Sequence, residues 1–175
     1  METTVLNTNA IAFIGLCHEY CTLLENTRDN ELQSFVESML HLLPRLYISA
    51  TDLTVNILED EEPYIENILD EDYYESIRRG IETLMGEHDV YLEVFEEDMK
   101  YSDTPVSASI SEGLTDIFQT LYNFLNTVRD TTDETTAIAL LAVRDDFRGY
   151  WSATLCNVLR ALNHLAYNVL PDYQN

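Results

Sequence analysis

The strongest helical signal lies near the C terminus, where residues 133–169 read DETTAIALLAVRDDFRGYWSATLCNVLRALNHLAYNV. One mostly apolar row runs through this segment at a mean step of about 3.6, the period of a straight α-helix. Its members are Leu140, Arg144, Phe147, Trp151, Leu155, Val158, Leu162, Leu165 and Val169. Thr131-Thr132-Asp133-Glu134 has the spacing of a capping box, and Pro171 follows the row. The pattern predicts the longest helix of the chain.

The opposite side of this helix lacks the polar character of an ordinary solvent face. The residues on this side are Ala142, Gly149, Ala153, Cys156, Arg160 and Tyr167, of which the first four are small. A glycine inside a helix costs about 1 kcal/mol relative to alanine, so Gly149 favours a packing role. We therefore expect a long, central C-terminal helix that is contacted on both sides. Arg144, within the apolar row, needs a carboxylate partner or a route to solvent.

Polar side chains share this second face, namely Asp145, Asp146, Arg160, Asn163 and His164. Arg160 and His164 lie one turn apart and are therefore neighbours. Two interpretations stay open: a set of interhelical salt bridges, or a polar groove that binds a small ligand or a peptide. The selected binding residues are Asp116, Asp146, Arg160 and His164, joined by Glu19 and Trp151 if the first and last helices pack together.

The first half of the chain predicts two further helices. Residues 9–25 carry an apolar row at helical spacing, and a second helix follows from a cap at Asn30 and Gln33 to about Leu58. Pro44 lies inside this second helix and predicts a kink or a break. Residues 59–75 hold nine acidic side chains and one proline, which predicts an exposed linker.

The second half predicts two more connections and two more helices. Asp72 and Glu75 are expected to cap a third helix that ends near Gly86. Residues 88–95 fit a short extended piece or a helical turn, and residues 96–107 form another acidic loop. Ser109-Ile110-Ser111-Glu112 is a capping box that opens a fourth helix. With only five glycines and four prolines, the chain is predicted to be all-α: one domain over residues 1–175, an up-and-down bundle of four to six helices.

Charge restricts the classes of partner. The chain has 32 acidic and 9 basic side chains, a formal net charge of −23. Phosphate backbones and anionic membranes both require Lys and Arg, so we expect no direct nucleic acid binding and no membrane binding. The charge still permits binding of a protein partner with a basic surface, binding of a small ligand, and formation of a homodimer. An N terminus without a basic region, no apolar run long enough to span a membrane, and three cysteines predict a cytoplasmic protein.

Motifs with catalytic or metal-binding chemistry are missing from the sequence. It contains no Glu-x-x-His, no Cys-x-x-Cys and no Gly-x-Ser-x-Gly. We therefore predict no catalytic residue, metal or cofactor, and favour a non-enzymatic binding or interaction protein. The alternative is a divalent-metal-dependent hydrolase acting on a nucleotide or similar phosphate. Its carboxylates and phosphate-binding arginines would be Glu59, Glu62, Asp72, Glu75, Arg78 and Arg79.

Several short motifs together resemble a known family. They are His18-Glu19-Tyr20-Cys21, Tyr91-Leu92-Glu93-Val94-Phe95, Leu114-Thr115-Asp116-Ile117-Phe118, Phe147-Arg148-Gly149-Tyr150-Trp151 and Leu159-Arg160-Ala161-Leu162. The chain looks like a member of an uncharacterised family of acidic all-helical bacterial proteins, a domain of unknown function. The resemblance spans nearly the whole chain and implies a bacterial cytoplasmic helical domain. It implies no activity.

Overall fold

A computed structural model describes residues 6–56, 61–93, 100–101 and 104–170. These residues form an all-α bundle with one small antiparallel sheet, which confirms the predicted fold class. The elements in chain order are α1 (Thr8–Glu25), α2 (Leu32–Thr51), α3 (Glu71–Met85), β1 (Val90–Leu92), β2 (Ser107–Ser109), α4 (Ile110–Val128), α5 (Asp133–Asp146) and α6 (Ser152–His164). Predictions for Glu59, residues 94–99 and Pro171 lie outside the described residues.

The long C-terminal helix is present but is not α-helical throughout. α5 and α6 are joined by a π-helical segment, Phe147–Trp151, and a second π-helical segment, Leu165–Val169, follows α6. We call the whole run, residues 133–169, the C-terminal helix. Each π-helical segment holds one more residue per turn than its neighbours, and such bulges are frequent at functional sites.

Helix starts show where local capping rules succeed and where they miss by a residue or two. Ser109 Oγ accepts a hydrogen bond from Glu112 N at 3.1 Å, as predicted for α4. The C-terminal helix is capped by Thr132 rather than Thr131, and α3 by Asp70 rather than Asp72 or Glu75. In each case the side chain that caps is the last one in an extended backbone conformation, which lets its oxygen reach the first free N–H groups.

The second helix differs from its prediction at both ends. Glu31, not Asn30, is the residue before α2, and no side chain caps this helix; the Asn30 amide donates to the Asn26 carbonyl. α2 continues through Pro44 without a break but ends at Thr51, short of Leu58. The buried side chains on both sides of Pro44 anchor the helix to the core and offset the hydrogen bond that proline removes.

The acidic linker is held against α4 by its backbone. Asn123 Oδ1 accepts hydrogen bonds from Ile68 N at 3.0 Å and Leu69 N at 2.8 Å. Thr127 Oγ1 accepts one from Glu66 N at 3.0 Å. Most of the described carboxylates of this segment are exposed, while polar side chains of α4 bind its main chain, so the linker is largely exposed but ordered.

The core centres on aromatic side chains from three helices. Trp151 is fully buried, with ring centroids 4.6 Å from Phe147 and 6.5 Å from Phe13, and Phe13 also contacts Phe124 at 5.7 Å. The Trp151 indole N–H donates to the Val143 carbonyl at 3.2 Å. The predicted apolar row therefore faces the interior, and α1 packs near the C-terminal helix.

The prediction that a second helix covers the far side of the C-terminal helix holds for Ala142, which is buried, but not for the residues that follow it. Gly149, Ala153 and Cys156 are exposed, and a Cβ at Gly149 would have no described atom within 4 Å. The close approach of helices occurs instead at Gly113 on α4, where a Cβ would lie 2.6 Å from Val158 Cγ1. Because α2 and α4 both pack on the buried side of α6, the bundle closes without covering Gly149, Ala153 and Cys156.

The ambiguous segment after α3 is extended. β1 pairs with β2 in the register Val90–Ser109, Tyr91–Ala108 and Leu92–Ser107. Asp89, which precedes β1, is buried and binds the start of α4, accepting hydrogen bonds at 2.7 Å from both Ser111 N and Ser111 Oγ. This double contact fixes the small sheet to the first turn of α4.

Candidate ligand-binding groove

A groove of about 390 Å³ lies between β1 and the last turns of the C-terminal helix. Its size falls within the range of small-molecule sites. Apolar side chains form most of its wall: Val90, Leu92, Ile110, Ala161, Leu165 and Val169. Arg160 and His164 line it from the helix, as their one-turn spacing requires.

The groove concentrates nitrogen-bearing side chains that are scarce elsewhere in the chain. Arg160, His164 and His88 all line it, although the whole protein has only nine Lys and Arg and four His. Arg160 Nη2 donates to the Leu92 carbonyl at 2.5 Å, which orients the guanidinium across the groove. The described residues provide no other partner for this guanidinium and no hydrogen bond for His164. Most of the five Arg160 donors are therefore available to a ligand.

Acidic groups at the rim are partly occupied. His88 Nε2 lies 3.9 Å from Glu87 Oε1. Tyr91 Oη and Asn157 Nδ2 both lie 3.4 Å from Glu93 Oε1 as donors. Burial raises the pKa of the Tyr91 hydroxyl and the Glu93 carboxylate raises it further, while Arg160 opposes the shift. Arg160 is thus close enough to Tyr91 to influence the electrostatics of the groove wall.

The other four selected residues lie away from the groove. Asp116 on α4 accepts hydrogen bonds from Tyr74 Oη at 2.6 Å and Tyr150 Oη at 3.1 Å, so both carboxylate oxygens already bind the chain. Burial, and then the hydrogen bond to Asp116, raise the pKa of Tyr74. This cluster links α3, α4 and the C-terminal helix, which is a structural contact.

Asp146, Glu19 and Trp151 are also separate from one another. Desolvation of the Asp146 carboxyl raises its pKa, and the neighbouring Asp145 carboxylate adds to the shift. Glu19 forms an exposed ion pair with Arg45 on α2 at 3.4 Å. Trp151 belongs to the core. Of the six selected residues, the structure brings together only Arg160 and His164.

Sequence reasoning missed the strand side of the groove, which comprises His88, Val90 and Leu92. The available signal was the alternation of apolar and polar residues in 88–95, which permitted a strand but did not say which helix it would face.

Of the carboxylates considered for a metal-dependent hydrolase, Asp72 and Glu75 line a second, larger cleft of about 990 Å³ beside α3, whereas Glu62 does not. Glu75 there is already paired, with Arg78 Nε at 3.1 Å and Arg79 Nε at 3.6 Å. The hydrogen bond from Arg78 lowers the pKa of Glu75. Within the described ranges, no group of three or more His, Cys, Asp or Glu side chains is placed to hold a metal ion. Arg144, in the apolar row, forms an ion pair with Asp145 at 3.5 Å. Its buried Nε has no hydrogen-bond partner among the described residues.

Among the described helices, none has both the length and the apolar character that crossing a membrane requires.

The crystal structure of protein BF1032 from Bacteroides fragilis, a structural genomics target, superposes with a TM-score of 0.81 at 28% sequence identity. The alignment covers 99% of this chain and 100% of that one. No curated protein matches the chain at a significant level.

The sequence profile of one family matches residues 4–168, which is nearly the whole chain. Its description, a domain of unknown function, agrees with the uncharacterised family that the short motifs resemble. The chain therefore belongs to the DUF5063 family, a domain of unknown function.

Proposed function

We propose that this protein is a non-enzymatic, cytoplasmic binding protein that holds a carboxylate-bearing ligand in the groove between β1 and the C-terminal helix. The observation that carries the proposal is the meeting of Arg160, His164 and His88 at a groove with an apolar wall. A guanidinium presents parallel N–H groups that match a carboxylate, and the apolar wall suits the body of such a ligand.

The net charge of −23 gives this arrangement its specificity. Anions are repelled from most of the surface, and that repulsion is screened beyond roughly 8–10 Å in physiological salt. A carboxylate is therefore stabilised only where cationic side chains contact it directly. The groove can supply this contact through Arg160, whose described hydrogen-bond partner is the Leu92 carbonyl and not a carboxylate.

Binding can be tested with straight-chain monocarboxylates such as hexanoate and octanoate, with the matching alcohols as probes that lack the charge. A ligand present at about 100 times its dissociation constant stabilises the folded state by about 2.7 kcal/mol, which thermal unfolding detects. We expect the acids to raise the melting temperature and the alcohols to have little effect. Equal effects of acids and alcohols, or none from either, would contradict the proposal.

Two arginine variants separate local contact from net charge. Arg160→Met removes the groove guanidinium and should weaken carboxylate binding at least about tenfold. Arg148→Met removes the same charge from an exposed position about 18 Å away along the C-terminal helix and should leave binding unchanged. If both variants bind alike, the site lies elsewhere.

The alternative function is that of a metal-dependent hydrolase, and thermal unfolding tests it as well. A rise in melting temperature with magnesium, manganese or zinc that disappears in Asp72→Asn would favour that reading over a binding protein. We expect no such rise, because Glu75 is already neutralised by two arginines.

A further inference from the structure

The edge of β1 that faces away from β2 is open. Glu93 N donates to Val106 O at 2.9 Å and Ile110 N donates to Asp89 O at 2.8 Å, so the residues that hydrogen-bond across the two strands are Asp89, Tyr91 and Glu93. In an antiparallel pair the intervening residues direct their N–H and C=O groups to the other side. The main chain of Val90 and Leu92 therefore points away from β2.

Most of this edge has no partner. The Leu92 carbonyl accepts the hydrogen bond from Arg160, which shows that the open edge faces the C-terminal helix across the groove. The Val90 N–H, the Val90 carbonyl and the Leu92 N–H are unpaired within the described part of the chain. Val90 and Leu92 are 65% and 54% exposed, so apolar side chains accompany the unpaired main chain.

Proteins usually protect strand edges with charged side chains, proline or a covering element. β1 is short, but its own residues, Val90, Tyr91 and Leu92, include no proline and no charged side chain, and among the described residues Arg160 contacts its open edge at the Leu92 carbonyl. An exposed edge beside an apolar groove is the arrangement by which extended peptides are bound: main-chain hydrogen bonds give affinity, and pockets receive alternate side chains.

Resting on the proposed function, we infer that the ligand is an extended peptide that adds to the open edge of β1 as a third strand and places a carboxylate on Arg160 and His164. Charge complementarity selects a peptide with a free C-terminal carboxylate, because the Arg160 guanidinium lines the groove and the imidazoles of His88 and His164 add hydrogen-bonding nitrogens beside it. A fatty acid satisfies Arg160 equally well but leaves the Val90 and Leu92 N–H groups unpaired, which costs free energy once the ligand excludes water.

The length of β1 sets the length of the bound segment. Three residues of strand span roughly 10 Å, so about three to four ligand residues pair with the edge. Alternate ligand side chains then lie on the exposed Val90 and Leu92. The Arg160 hydrogen bond to the Leu92 carbonyl persists, because the other guanidinium donors receive the carboxylate.

The probe is a library of pentapeptides with free carboxyl termini and apolar residues at alternate positions, screened against the full chain. The tightest binder is then synthesised as its C-terminal carboxamide and as a series with a single N-methyl group at each amide in turn. Titration calorimetry with the unmodified protein measures each affinity. Because the chemistry changes only in the peptide, folding of the protein is not in question.

We expect the carboxamide to bind about tenfold more weakly, and N-methylation to weaken binding about tenfold at the one amide that donates to the Val90 carbonyl and little at the other amides. Arg160→Met should remove the difference between acid and carboxamide, whereas Arg148→Met should keep it. Uniform effects of N-methylation would overturn strand addition.

The outcomes separate this inference from the function on which it rests. If monocarboxylates bind through Arg160 but no library peptide does, the binding function stands and the peptide inference is wrong. If neither class of ligand binds, both proposals fall.

Discussion

Replacing Gly113 with alanine tests the close approach of α4 to α6. The added Cβ would lie 2.6 Å from Val158 Cγ1 and 3.5 Å from Thr154 Cγ2, whereas carbon atoms pack best at about 3.5–4.0 Å. Val158 is fully buried and β-branched, so it has no alternative rotamer into which to move easily. α4 and α6 must therefore separate locally by about 1 Å.

The size of the effect follows from two opposing contributions. Overpacking a core typically costs about 1–3 kcal/mol, and a contact this short with a stiff side chain belongs near the upper end. The gain in helix propensity from glycine to alanine offsets about 1 kcal/mol. We expect Gly113→Ala to lower the free energy of unfolding by about 1–2 kcal/mol, measured by urea denaturation with circular dichroism.

Two further variants make the reasoning refutable. Val158→Ala alone should cost roughly 2–3 kcal/mol through lost burial and a cavity. The double variant should be more stable than the sum of the single effects predicts, by about 1–2 kcal/mol, because the new methyl group occupies the vacated space. Gly149→Ala, where no described atom lies within 4 Å, is the control and should stabilise by about 0.5–1 kcal/mol. Additive effects of the two substitutions, or a Gly113→Ala variant as stable as Gly149→Ala, would refute the close approach.

Two other predictions concern the polar side chains of Asn123 and Asp146. Asn123→Ala should lower the free energy of unfolding by roughly 2–4 kcal/mol and speed amide exchange at Ile68 and Leu69, because the N–H groups of these two residues lose their acceptor. Asn123→Asp is the control and should keep both hydrogen bonds. Unchanged amide exchange in Asn123→Ala would contradict the prediction. Asp146→Asn should stabilise the protein at about pH 7. The pKa of Asp146 is raised in the folded state, which means that folding disfavours the charged form of this carboxyl. The Asp146 carboxyl therefore lowers the stability of the wild type as the pH rises through its pKa in the folded state. The urea midpoints of wild type and variant should converge at about pH 3, where Asp146 is protonated in both states; a constant difference would point to a packing effect instead.

Local sequence predicted the helices well because each helix encodes its own buried row. The row from Leu140 to Leu165 is buried as its spacing indicates, and the Ser109 cap is where the capping box places it. Caps failed where several candidates stand within two residues of each other, as with Asp70 and Asp72. There the outcome depends on which residue is the last extended one, and the path of the preceding linker sets that.

The candidate site could be predicted only in part. Arg160 and His164 meet because both lie on one helix face, whereas Asp116 and Asp146, predicted for the same site, lie away from the groove. His88, Val90 and Leu92 are distant in sequence and reach Arg160 only because Asp89 and β2 hold β1 at the start of α4.

Gly149 and Gly113 show most clearly which features the sequence determines and which depend on the tertiary structure. Helical period and apolar spacing are properties of neighbouring residues, so the all-α class, the long C-terminal helix and its buried row could be read from the chain alone. Which surface a second helix covers depends on the packing of segments far apart in sequence, and no local pattern carries that information. The small residues around Gly149 therefore lie in solvent, Gly113 receives Val158, and the groove forms where the sheet and the last helical turns face each other.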